Sequence, residues 1–130
     1  MPMRIILVID YSRRSEHVVR EVAERSWPSG TAVRVLAVVD NAPPSAAELW
    51  FDARGSLGTV MQMRKERSEK LADEAAAVLR AKGLTVETSA RAGHLRAAIK
   101  EEAKHWPADL VIADRGLRRF ILWKSPSFSF

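Results

Sequence analysis

Cysteine is absent from the 130-residue chain. That excludes a disulfide framework, thiolate metal ligation and a cysteine nucleophile, and it suits a reducing cytoplasm. Long apolar runs are also missing. The longest, Ile5 to Ile9 and Val35 to Val39, are far too short to span a bilayer, and the N-terminus has no basic-then-apolar leader. The expectation is a cytoplasmic protein with no membrane role. His17, His94 and His105 share no metal-ligand spacing, Ser12 has no histidine or lysine close in sequence to activate it, and no acid and base stand as a pair. Neither a metal centre nor an enzyme is expected.

Acidic residues run out after Asp114, where Arg115, Arg118, Arg119 and Lys124 stand without a counter-charge. The formal charge is +5, from 21 basic and 16 acidic residues; without those four cations it would be close to balance. The excess is therefore local. It suits phosphate, an acidic partner surface or simply a solvated face, and not nucleic acid, because no aromatics alternate with the cations as stacking platforms. A 47% hydrophobic, 28% charged composition without linker or low-complexity segment fits one domain over residues 1–130.

Within that domain, "RIILVID" (4–10) is an unbroken aliphatic run, the pattern of a strand covered on both faces. Ser12 offers a helix cap, Val18, Val19, Val22 and Ala23 follow at helical spacing, and "WPSG" (27–30) stops that helix. A second strand over 31–40 again ends in aspartate. The connection that follows carries Pro43, Pro44, Gly55 and Gly58 and reads as an irregular loop; its Trp50 and Phe51 would shield an edge, a pocket or a partner. A long helix over 59–82 keeps Leu71, Ala75, Val78 and Leu79 on one face, with Gly83 ending it. Residues 84–90 alternate as a less buried strand. A third helix presents Leu95, Ala98, Ile99 and Ala103 inward and Glu101, Glu102 and Lys104 outward, and Trp106-Pro107 closes it before a fourth strand. Met61 and Met63 fit core or dimer packing. Such alternation predicts an α/β protein with a mostly parallel sheet and helices on its faces.

With these elements in order, the chain resembles the universal stress protein family. The likeness rests on "RIILVIDYSRRSEHVVREVA" at the front and "ARAGHLRAAIKEEAKHWPADLVIADRG" at the back, with a variable loop between. Ile9, Asp10, Tyr11 and Ser12 reproduce the form of the family's strand-end motif, Gly93 and Ile99 its turn into the third helix, and Ala108 to Ile112 its fourth strand. The resemblance implies a Rossmann-like three-layer α/β/α fold with strand order 3-2-1-4-5, homodimers, and in nucleotide-binding members an ATP site where the ends of strands 1 and 4 meet. There a Gly-x-x-Gly-x9-Gly-Ser/Thr loop wraps the phosphates with backbone amides.

This sequence departs from that loop. Ala113 stands where the first glycine belongs, Gly116 is the one glycine present, and Lys124-Ser125 replaces the final Gly-Ser. Lys124 would put a side chain at a phosphate unless its ammonium takes over the contact. The family's fifth strand is expected to be missing or vestigial, giving a sheet of order 3-2-1-4, with 117–124 forming a short basic helix and Pro126 ending it. The candidate nucleotide pocket is Asp10, Val39, Ala113, Gly116, Lys124 and Ser125; Asp10 would touch the nucleoside or cap the next helix, and Asp40 more naturally caps a loop. The expected function is a stress-response domain acting through protein association as a homodimer, with ATP binding weak or lost. The alternative is a true ATP- or AMP-binding member using Asp10 and the basic 115–125 segment, with no metal beyond nucleotide-bound Mg.

Overall fold

The computed structural model describes residues 3–9, 14–39, 41–52, 57–115 and 118–124. In chain order the elements are β1 (Arg4–Ile9), α1 (Arg14–Glu24), β2 (Ala32–Val39), a π-helical turn (Glu48–Asp52), α2 (Leu57–Arg80), β3 (Thr85–Ala92), α3 (Leu95–His105), β4 (Leu110–Arg115) and β5 (Arg118–Lys124). They build one sheet in the order β3-β2-β1-β4-β5. The first four strands are parallel, in the 3-2-1-4 order that the family resemblance implies.

Burial explains why β1 is apolar throughout. Every residue from Ile5 to Ile9 is buried, because helices cover both faces of the central strand. Ile5, Leu7 and Ile9 pack with the inward faces of α1 and α2, while Ile6 and Val8 pack with Ala98 and Ile99 of α3. Trp27 and Trp106, the aromatic members of the two Trp-Pro stops, pack against these two clusters respectively. The Trp27 indole also donates to the Val22 carbonyl at 2.8 Å, closing the end of α1.

Two turns need glycine. Gly83 (φ +88) ends α2 with the paired Schellman bonds, its N–H to the Arg80 carbonyl and that of Leu84 to Leu79. Gly93 (φ +117) follows β3, and its N–H reaches across to the Val39 carbonyl at 3.0 Å, tying the ends of β2 and β3 at the register Val39↔Ala92.

Three sequence expectations are corrected. Residues 118–124 form a strand, not a helix, and run antiparallel to β4 with the register Leu110↔Lys124 to Ala113↔Ile121. The run Phe120 to Trp123 is aromatic and aliphatic, and the exposed edge of β4 supplies backbone partners that a lone short helix would lack. Val78, assigned to the inner face of α2, is 47% exposed. Glu102, assigned to the outer face of α3, is only 1% exposed.

Glu102 is buried because three donors meet it. Its carboxylate accepts from Arg91 Nε at 2.6 Å, Arg34 Nη1 at 3.0 Å and Ser89 Oγ at 3.0 Å, joining α3 to β2 and β3. Arg34 also pairs with Glu87 at 2.9 Å and lies over the Trp106 ring at 5.0 Å, with Arg4 near the same ring at 5.8 Å. Burial pushes the Glu102 carboxyl up, but the hydrogen bonds from Arg91, Arg34 and Ser89 outweigh it and hold the group below its usual 4.5. Among the described residues, no helix is long and apolar enough to cross a membrane.

Two stability predictions follow from these contacts. Glu102→Ala strands two arginines and is expected to cost about 3 kcal/mol, read as a lower urea midpoint at constant slope. Because the folded-state pKa is depressed, the wild-type contribution is present above pH 4.5 and is lost as pH falls through the lower folded value. Glu102→Gln should flatten that acid limb; an unchanged limb would show that the network carries none of it. Gly93→Ala forces a Cβ into the left-handed region and is expected to cost about 1 to 2 kcal/mol by the same assay, with no loss if the turn relaxes freely.

Candidate functional site

Parallel pairing aligns the C-terminal ends of the four parallel strands at one edge of the sheet. Val8 pairs with Ala113 and Ile9 with Ala37, so β1 lies between β2 and β4 where the chain reverses its direction of winding. An open α/β sheet carries its ligand crevice at such a switch point. The order of the elements therefore puts Val39 and Ala113 at the same edge, on either side of β1.

Both are closed in. Val39 and Ala113 are buried, and the Val39 carbonyl already accepts the Gly93 N–H. Ala113 carries a methyl group where the resembled loop has glycine, which limits how closely a ligand can approach the backbone there. The N-terminus of α3 opens beside Gly93. His94 sits at the cap position in extended conformation without a side-chain capping bond, and the first turn has no acidic residue. Its leading amides and the helix dipole favour an anion. Asp10, Gly116 and Ser125 from the candidate pocket, and Asp40, lie outside the described residues.

The backbone of Lys124 lies away from the other described candidates, Val39 and Ala113. Its backbone pairs with Leu110, at the start of β4, whereas Ala113 pairs with Ile121 near the strand's far end. A step of three residues along a strand is about 10 Å. β5 runs back along β4, so the backbone of Lys124 lies at the end of β4 away from Ala113. Arg115 and Arg118 pair with one another at the crevice end, after a register irregularity between Ala113 and Arg115. Only two residues, Gly116 and Leu117, connect β4 to β5.

A second polar cluster was not anticipated. Ser45 and Glu48 form a capping box, with the Ser45 N–H donating to Glu48 Oε1 at 3.0 Å and the Glu48 N–H to Ser45 Oγ at 3.1 Å. Arg64 of α2 grips the same carboxylate with two bonds of 2.7 Å and also donates to the Ala42 carbonyl at 2.7 Å. The Arg64 hydrogen bond, joined by that of the Ser45 backbone, lowers the Glu48 carboxyl to about 2. This pair fastens the loop between β2 and α2, and leaves Trp50 76% exposed. The Ser-x-x-Glu spacing is legible in sequence; its partner Arg64 is not.

The comparisons with known proteins agree with this architecture. A structure from the universal stress protein family of Burkholderia pseudomallei superposes with a TM-score of 0.68 at 14% identity, covering 85% of this chain and 80% of that one. The universal stress protein UspA of Lactobacillus plantarum gives 0.68 at 17%, covering 88% and 78%. A universal stress protein in complex with cAMP gives 0.55 at 18%, covering 84% and 73%. At these identities the likeness speaks for the fold. A search among curated proteins gave no match. The family model described as Universal stress protein family matches residues 1–122, and the chain belongs to that family.

Proposed function

We propose that this chain is a single stress-response domain that works by protein association, as a homodimer and with a partner protein, while binding adenine nucleotide weakly or not at all. It is read as a non-enzymatic protein of the cytoplasm. The observation that supports the reading is the register of β5. With two residues between β4 and β5 and Lys124 opposite Leu110, the segment that would wrap a triphosphate is committed to a hairpin that leaves the crevice. Ala113 at the strand end weighs the same way, since a loop that binds phosphate through amides needs bare backbone.

A second reading has an observation of its own. The uncapped start of α3 is an anion-favouring end beside Gly93, and a structural relative is described in complex with cAMP. Under that reading Asp10, Val39, Ala113 and Gly116 hold ATP, AMP or a cyclic nucleotide, with Arg115 and Arg118 near the phosphate and Mg entering only with the nucleotide.

Isothermal titration separates the two. ATP with Mg, AMP and cAMP are titrated in turn into the full chain and into Asp10→Ala. The expected result is no saturable heat, corresponding to dissociation constants above about 1 mM. Tighter binding that disappears in Asp10→Ala would overturn the proposal in favour of the nucleotide-binding reading.

A further inference from the structure

We infer that the open edge of β3 accepts an extended basic segment of a partner protein as a sixth strand, and that Glu69 and Asp73 of α2 read cations placed two residues apart on that segment. The inference rests on the partner-protein part of the proposed function and supplies its surface. It does not depend on whether nucleotide binds.

Strand β3 ends the sheet and pairs with β2 alone. Its register runs unbroken from Ala32↔Thr85 to Val39↔Ala92, with neither a bulge nor a proline to spoil pairing on the open side. Because the N–H of Gly93, next after the strand, reaches the Val39 carbonyl, the odd-numbered residues of β3 turn their backbone groups toward β2. The even-numbered ones face outward. At Val86 the chain satisfies its own edge, since Arg80 Nη2 donates to that carbonyl at 2.8 Å. The backbone at Thr88 and Ala90 has no such outward partner among the described residues. Two alternate residues thus hold out N–H and C=O groups, the template on which an added strand builds.

What lies beside those residues selects the strand. A polar groove of about 370 Å³ runs between the helix and the edge, lined by Glu69, Ala72 and Asp73 of α2 and by Thr88, Ser89 and Ala90 of β3. It contains two carboxylates and no cation. Both carboxylates belong to exposed residues, and neither forms an ion pair or side-chain hydrogen bond among the described residues. On the opposite face of β3 the charges are already committed, with Arg91 and Ser89 on Glu102 and Glu87 on Arg34. The spacings also agree. Glu69 and Asp73 stand one turn apart, about 6 Å along the helix, and side chains two residues apart on a strand are separated by about 6.7 Å. A second β3 is a poor occupant, because pairing the two edges would set these carboxylates against their own copies. Lysine or arginine at alternate positions neutralises them instead.

The test titrates the full chain, at low ionic strength, into a fluorescein-labelled peptide Thr-Lys-Val-Lys-Val-Lys-Ser and follows anisotropy. Saturable binding is expected, with the dissociation constant raised about tenfold by Glu69→Gln/Asp73→Asn and by Thr88→Pro. The proline removes an outward N–H at an edge position where the fold tolerates it, and circular dichroism checks that each variant is folded. Two further probes leave the protein untouched: the same peptide N-methylated at alternate amides, and its isomer with the three lysines adjacent. Both should bind about tenfold more weakly. Equal binding of either probe would reduce the effect to charge attraction and overturn strand addition. No saturable binding, or binding indifferent to the substitutions, would overturn the edge itself. Sedimentation velocity on the same samples reads self-association, so failure of this edge and failure of the wider association reading are told apart.

Discussion

Two residues separate β4 from β5, and this single constraint shapes half of the molecule. A parallel return needs a crossover of a dozen or more residues, usually a helix, whereas two residues permit only a hairpin. The fifth strand therefore runs antiparallel, and no helix is interposed between β4 and β5. The sheet becomes asymmetric as a result. One face is covered by α1 and α2 over a large cluster that includes Ile5, Leu7, Val35 and Leu79; the other is covered by α3 over a smaller one built on Ile6, Val8, Leu36 and Val111.

The thinner face is supplemented by charge. Where α3 passes over β2 and β3, Glu102 stands inside a ring of Arg34, Arg91 and Ser89, and Trp106 lies beneath Arg34. A buried ionic cluster of this kind adds little net stability over apolar packing, but it tolerates few alternative seats for the helix. The cluster is not fully satisfied: Arg34 Nε is buried without a hydrogen-bond partner. The arrangement reads as specification of where α3 sits, and α3 in turn sets the position of the uncapped helix start beside Gly93.

Much of this was legible in the residues, and the failures share a cause. Strand β1 is visible as a continuous aliphatic run, β2 and β4 as largely aliphatic ones, and Gly83 and Gly93 mark turns that only glycine adopts easily. Helical spacing groups Glu102 with Glu101 and Lys104 on the outer face; its burial depends on arginines 68 and 11 residues away. The 117–124 segment fits a helical period through Leu117, Phe120 and Ile121, and also fits a strand, since a short apolar run does not settle the choice. The free edge of β4 settled it. Likewise the glycine count of the tail was readable, while the register that carries Lys124 to the far end of β4 was not. Of the remaining candidates, Val39 and Ala113 end their strands at one edge of the sheet, on either side of β1.

The same economy bears on where a function can reside. Phosphate is held by bare backbone amides, and at this edge the described strand ends, Val39 and Ala113, are buried. The loop after β2, by contrast, is fastened by a capping box and a two-armed arginine grip, although none of residues 41–50 is buried. Fixing an exposed segment costs conformational entropy that burial in the core does not offset. Trp50 is the group that this fastening displays, and an aromatic side chain held in place is the type that anchors protein interfaces.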